Sequence, residues 1–287
     1  TLLQAPVPAH VIDKGLPTTG LLAHVLVAKY LDHLPLYRQE GIFGRAGLEL
    51  PRSTLAQWVG RCGVALQPLV DALRGAMFER SVLHADETPV AMLAPGQGKT
   101  HKAYIWAYGT TSYDPLQAVV YDFAESRAGK HARRFLEGWR GKLVCDDFAG
   151  YKALFVGSIT EAGCMAHARR KFHELWVSHK SPIAEEALTF FRTLYDIERM
   201  AHALNAHERH RLRALQTQPL LDTLHRWMLL QRQQATDGTA LAKALDYSLK
   251  RWDALVRFAD DGNLPIDNNH LENRIRPIAL GRANWLF

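Results

Sequence analysis

The chain has 287 residues, 47% of them hydrophobic, with 35 Lys and Arg against 29 Asp and Glu and a net charge of +6. That apolar content builds a real core and excludes wholesale disorder, and the length suits one large domain or two ordinary ones. The modest basic excess permits a polyanionic partner without demanding one. Cys62, Cys145 and Cys164 form no CxxC pair and no disulfide framework, so a reducing, cytoplasmic setting is expected.

In chain order, residues 1–20, with Pro6, Pro8 and Pro17, read as an extended leader. Residues 21–34 have helical periodicity and stop at Pro35; His24, Lys29, Asp32 and His33 bar this stretch from spanning a bilayer. No signal peptide is visible. Gly41, Gly44 and Gly47 mark a connector, and a new helix is expected after Pro51, with Ser53 or Thr54 as N-cap. The helix pair resembles a helix-turn-helix, with Arg45, Arg52 and Arg61 nearby; a small bundle with a solvated basic face is the alternative. A separate helix over 64–78 completes an N-terminal helical region, residues 1–80.

From Ser81 the period changes. Strands are expected at 82–85, 102–110, 117–123, 142–145 and 158–164, with helices at 129–138 and 166–176. Pro89 is expected to end pairing soon after the first strand, leaving Asp86 at its open end. Three hairpin-linked strands followed by alternating helix and strand give the fold class: α/β, a ribonuclease-H-like core with a mixed five-stranded sheet flanked by helices, its first part at 81–180. Residues 181–258 carry helical spacing throughout and read as an all-helical insertion. Residues 260–265 break it, and residues 259–287 hold a final helix that starts near Asp267 and ends near Pro277.

Three acids stand out in this layout: Asp86 after the first strand, Asp146 after the fourth, and Glu272 on the last helix. Strands one and four are neighbours in such a fold, so the acids converge. Three carboxylates at one point repel unless a cation neutralises them, and oxygen ligands select Mg²⁺ or Mn²⁺. Two such ions can activate an attacking oxygen and stabilise the leaving oxygen of a phosphodiester. Successive strand residues face opposite sides, so only one of Asp86 and Glu87 points at the site; between Asp146 and Asp147 the choice stays open. Asn268, Glu272 and Arg276 share a helix face, with Asn269 nearby; Asn268, Asn269 and Arg276 are candidates to support the acids or contact DNA. Arg169, Arg170 and Lys171 suit phosphates, or a plain solvated face. His167 could bond a phosphate, orient an acid or simply sit satisfied at a junction. Cys164 and His167 are half a zinc pattern, and with no second pair structural zinc is not expected. Arg209, Arg211 and Arg213 are candidate DNA contacts, and Trp285 is either a stacking or a core residue.

The stretches His-Ala-Asp-Glu-Thr-Pro (84–89), Asp-Asp-Phe-Ala-Gly-Tyr (146–151), Gly-Cys-Met-Ala-His-Ala-Arg-Arg-Lys-Phe (163–172), Asn-Asn-His-Leu-Glu-Asn-Arg-Ile-Arg-Pro (268–277) and Gly-Arg-Ala-Asn-Trp-Leu-Phe (281–287) resemble the catalytic domain of insertion sequence 66 transposases. The resemblance covers nearly the whole chain. It implies a DDE transposase that cleaves DNA at transposon ends and transfers the strand to a target. It further implies two Mg²⁺ or Mn²⁺ ions on Asp86, Asp146 and Glu272, homo-oligomers on paired terminal repeats, and small accessory proteins of the same element. Such a protein is expected in the bacterial cytoplasm, at the nucleoid, with no membrane partner. The family's usual second motif reads Asp-Gly-Tyr; here it is Asp146-Asp147-Phe148. Full-length members begin with a coiled segment and a zinc-binding Cys/His module, so a segment of a longer product is expected. Two other readings compete: a ribonuclease-H-like nuclease or resolvase without strand transfer, and a non-catalytic DNA-binding regulator.

Overall fold

The computed structural model describes residues 10–12, 15–94 and 96–285, without the side chains of Ala283 and Trp285. Most of the expected leader lies outside them. The chain divides into two compact units, one of residues 1–76, 88–104 and 276–287, the other of residues 77–87 and 105–275.

The first unit carries helices α1 (Thr19–Tyr30), α2 (Leu36–Arg45) and most of α3 (Arg52–Phe78). Thr18 caps α1, its hydroxyl accepting from the Leu21 N–H. The Gly-rich connector is corrected: α2 runs straight through Gly41 and Gly44. The buried Gln39 ties α2 to α1 by donating to the carbonyls of Val25 and Leu34. Nor are there two helices after Pro51. α3 is continuous over 27 residues with Pro68 inside it, and it starts at Arg52, ahead of both expected caps. The Arg52 N–H is instead satisfied by Glu40 Oε1 at 3.0 Å.

The second unit is built on a sheet. The strands are β1 (Val82–Leu93), β2 (Thr100–Gly109), β3 (Val119–Ala124), β4 (Gly141–Cys145) and β5 (Ile159–Gly163), in the order β3-β2-β1-β4-β5. β1 pairs β4 in parallel, and β4 pairs β5 in parallel. Helix α4 (Lys130–Phe135) links β3 to β4, and a 3₁₀ stretch (Ala149–Val156) links β4 to β5. The chain is therefore α/β, a mixed sheet flanked by helices. One expectation needs correcting: β1 does not end at Ala85 but continues through Pro89 to Leu93. The partnership with β4 nevertheless stops at His84, opposite Val144, so Asp86 still stands just beyond that pairing.

Helix α5 (Met165–His179) follows β5. Then come α6 (Pro182–Ala201), α7 (Ala206–Leu212), a π-helical turn (Arg213–Thr217), α8 (Gln218–Gln234), α9 (Ala240–Lys250) and α10 (Trp252–Val256). Their apolar faces share one core with β4 and α5, including Val144, Phe172, Phe191, Leu224, Met228 and Leu245. The closing helix α11 (Asn269–Trp285) passes through Pro277 rather than stopping there. None of the described helices is long and apolar enough to cross a membrane.

The helical stretch is anchored by a buried cation. Arg213 makes a two-pronged pair with Glu198, at 2.8 and 2.6 Å, and gives its remaining nitrogen to the carbonyls of Phe258, Asp261 and Leu264. Arg209 likewise donates to the carbonyls of Ala201, Leu204 and Gly262. Both are buried, so of the three arginines expected to touch DNA only Arg211 is exposed. Arg213→Met would leave Glu198 charged and unpaired in the core, and should lower the unfolding free energy by about 3–5 kcal/mol in urea denaturation. A loss within experimental error would show that the pair contributes nothing.

Candidate active site

The strand register decides which side chains meet. Val82 pairs with Lys142 and Leu83 with Leu143; carried forward by the same offset, Asp86 is level with Asp146. On the other side Cys145 pairs with Gly163, so Asp146 is level with Cys164. Asp86, inside β1 but just past its pairing with β4, thus lies level with Asp146 and Cys164, which follow the carboxyl ends of β4 and β5, the edge where open α/β sheets present their ligand sites.

The carboxyl of Asp86 has a pKa held above its ordinary value. Burial, the neighbouring Glu87, and then Glu272 and Asp146 push its carboxyl up to about 8. Its own Oδ1 accepts only the Glu87 N–H, at 2.8 Å. The adjacent acids are engaged elsewhere. Glu87 is held by Arg127, at 2.7 and 2.5 Å, and by the Tyr151 hydroxyl at 2.7 Å. Asp147 pairs with Lys152 at 2.9 Å and with Arg251 at 3.2 Å. Among the described residues Asp146 has no such cation; its Oδ1 accepts the Phe148 N–H at 2.9 Å. Nothing in the sequence pattern marks Arg127, and Tyr151 only closes the 146–151 stretch with no role of its own there; they lie 40 and 64 residues from Glu87.

Asn268 brings the last helix to this point. It is buried, and its Oδ1 lies 2.6 Å from His84 Nδ1, which must therefore be the protonated ring nitrogen. Its Nδ2 donates to the Ala85 carbonyl at 3.0 Å, and its backbone N–H donates to Cys164 Sγ at 3.2 Å. Asn268 is thus a clasp between β1, the β5–α5 junction and the start of α11, rather than a DNA contact. His84, fully buried, has its pKa lowered to about 4, chiefly by desolvation, so it is neutral. Gly109, at the end of β2, lets α11 close in; a Cβ there would meet Leu271 at 2.9 Å.

The other expected residues divide. His167 Nδ1 faces Glu272 Oε1 at 3.8 Å, and Arg170 reaches Glu272 Oε2 at 3.7 Å. Arg169, Arg170 and Asn269 line a cleft of about 630 Å³ between α5 and α6, whose other walls include Trp176, Arg192 and Arg199. Lys171 belongs elsewhere, over the Tyr247 ring. Arg276 is exposed on α11, and the side chain of Trp285 lies outside the described residues. Glu185, Arg192 and Arg199 recur every seven residues on α6, a stripe legible in the sequence but not used there.

Residues 14–287 match the profile of the family described as Transposase IS66 family. The chain belongs to that family. Three uncharacterized proteins of Sinorhizobium fredii are similar over all or nearly all of it: y4qI at 39% identity, y4jD at 35% and y4hP at 35%. The matched regions cover 55%, 58% and 55% of those proteins, so the chain spans little more than half of the relatives' length.

The donor set of this family member fits hard divalent cations. Asp86, Asp146 and Glu272 supply only oxygen, and their mutual repulsion is what a cation would relieve. A pH test follows. The unfolded Asp86 ionises near 3.8, the folded one near 8. Between these values the folded state holds the extra proton, so Asp86 lowers stability as pH rises, by up to about 1.4 kcal/mol per pH unit. The melting temperature of Asp86→Asn relative to wild type, without divalent ions, should climb from pH 4 to 8. Parallel curves would refute the raised pKa of Asp86 that burial and its charged neighbours cause. Asn268→Ala should cost about 2–4 kcal/mol in denaturant unfolding, because it strands the His84 donor and the Ala85 carbonyl; a loss below about 1 kcal/mol would deny the clasp.

Proposed function

We propose that the chain is the catalytic part of a DDE transposase on a ribonuclease-H-like core, cutting DNA at the ends of its element and joining those ends to target DNA. The observation that carries this reading is the strand register that sets Asp86 level with Asp146, with the charge of Glu272 from α11 also felt at Asp86. The sheet order, with β1 central between a hairpin-linked side and a parallel side, supports the fold assignment.

Asp86, Asp146 and Glu272 would hold two Mg²⁺ or Mn²⁺ ions. When bound, these supply Lewis-acid activation of the attacking oxygen and charge neutralisation at the leaving oxygen. Asp86 gives up its proton on loading. Asp146 is the ligand rather than Asp147, because Lys152 and Arg251 already occupy the latter. Glu87, gripped by Arg127 and Tyr151, fixes the strand instead of binding an ion. Arg170, beside Glu272, grips a phosphate oxygen near the scissile bond. In the first reaction water adds to phosphorus, the bond to the 3′-oxygen breaks, and a 3′-hydroxyl and a 5′-phosphate result. In the second, that hydroxyl adds to a target phosphodiester and expels the target's own 3′-oxygen. Bonds exchange one for one, so no nucleotide cofactor is required.

The cleft between α5 and α6 would carry the DNA strand away from the acids. Arg169, Arg170 and Arg192 supply charge, and Trp176 offers a flat face. Terminal repeats, target DNA, further copies of the chain and accessory proteins are the partners this function implies, in the cytoplasm at the nucleoid. Ala replacements of Asp86, Asp146 or Glu272 should each lower Mg²⁺-dependent cleavage of end-bearing DNA by on the order of 10³-fold. DNA binding should survive, and Asp147→Asn should have a far smaller effect. Arg192→Glu should weaken binding and flatten its salt dependence. Undiminished cleavage by Asp86→Ala would end this reading.

A further inference from the structure

The ligand atoms of Cys164, His167 and Glu272 lie within 4.8 Å of one another, the one such grouping of metal-binding side chains found among the described residues. Cys164 precedes α5 and His167 sits in its first turn, while Glu272 enters from the first turn of α11. His167 Nδ1 and Glu272 Oε1 are both buried, 3.8 Å apart, and neither has a hydrogen-bond partner. Buried polar atoms are nearly always partnered, so two facing orphans call for something positive between them. Cys164 Sγ is the third vertex, already oriented by the Asn268 N–H. Sulfur, imidazole and one carboxylate form a donor set for Zn²⁺ or Co²⁺ rather than Mg²⁺, with three protein ligands and one open position.

We propose that Cys164, His167 and Glu272 form a thiophilic metal site that takes Zn²⁺, separate in its donors from the hard-ion site but sharing Glu272 with it. Filling it turns Glu272 away from the two aspartates; this regulatory consequence, unlike the site itself, rests on the function proposed above. Binding converts the Cys164 thiol to a thiolate and releases its proton to solvent, while His167 is already neutral.

The test is titration of the reduced, metal-free chain with Co²⁺. A thiolate-to-cobalt charge-transfer band in the near ultraviolet, with strong visible absorption from four-coordination, is expected. Cys164→Ser should abolish the charge-transfer band, and His167→Gln should weaken binding at least roughly tenfold. Cys145→Ser and Asp86→Asn should keep the band; since Asp86→Asn removes the hard-ion ligand, the two sites can fail independently. Absence of the band in wild type, or its survival in Cys164→Ser, overturns the site, leaving a plain His167–Glu272 contact. Should Cys164→Ser not fold, wild type still decides. Zn²⁺ must slow alkylation of Cys164, read by peptide mapping, where equal Mg²⁺ does not; equal rates overturn the proposal.

Discussion

Everything near the three acids depends on one buried amide. Asn268 holds His84 and the Ala85 carbonyl with its side chain and Cys164 with its backbone. Its contacts therefore fix β1, the β5–α5 junction and the first turn of α11 against one another. An amide suits this place because it both donates and accepts; a carboxylate would set a second negative charge beside Asp86, and an apolar residue would strand two polar groups, the His84 donor and the Ala85 carbonyl. Asp267 strengthens the same corner. Its carboxylate caps the Asn269 N–H and takes the Tyr195 hydroxyl from α6 at 2.7 Å. The helical stretch thus reaches the start of the last helix through a hydrogen bond as well as through shared core.

That rigidity gives the crowding its meaning. On a flexible surface the three acids would swing apart, and Asp86 would keep the acidity of an ordinary carboxylate. Here the strand register brings Asp86 and Asp146 level, and the clasp stops Glu272 from leaving. The neighbouring acids show the contrast: Glu87 and Asp147 have been given cations of the chain's own, while Asp146 has not. A site that gives Glu87 and Asp147 cations of its own, and leaves Asp86 and Asp146 without one among the described residues, suits positive charge from outside.

The sequence made the acids, the five strands and the long helical run legible because each rests on local pattern: an apolar run before an acid, alternation, helical spacing. What it hid was non-local or depended on tolerance. Glycines at 41 and 44 read as a connector, yet a helix absorbs each at about 1 kcal/mol when its neighbour supplies packing and a clasp like Gln39. Pro277 read as a boundary, but a helix already running on both sides can continue past one missing N–H. The arginines at 209 and 213 look like any basic surface. Their burial is decided by carbonyls some 45 to 53 residues away that no window contains.

The same reasoning separates Asn268 from Asn269. As neighbours in sequence both looked able to touch DNA, and only position relative to the sheet distinguishes them. Asn268 faces inward, where every polar atom must be matched, and its partners come from three elements. Asn269 faces outward into the cleft and spends its amide on Asp267 alone. One residue of rotation at a helix start therefore divides architecture from contact. Because Glu272 lies one turn beyond Asn268 on the same side, its direction is inherited from the clasp: a change that loosens Asn268 must move the acid before it disturbs anything else on α11.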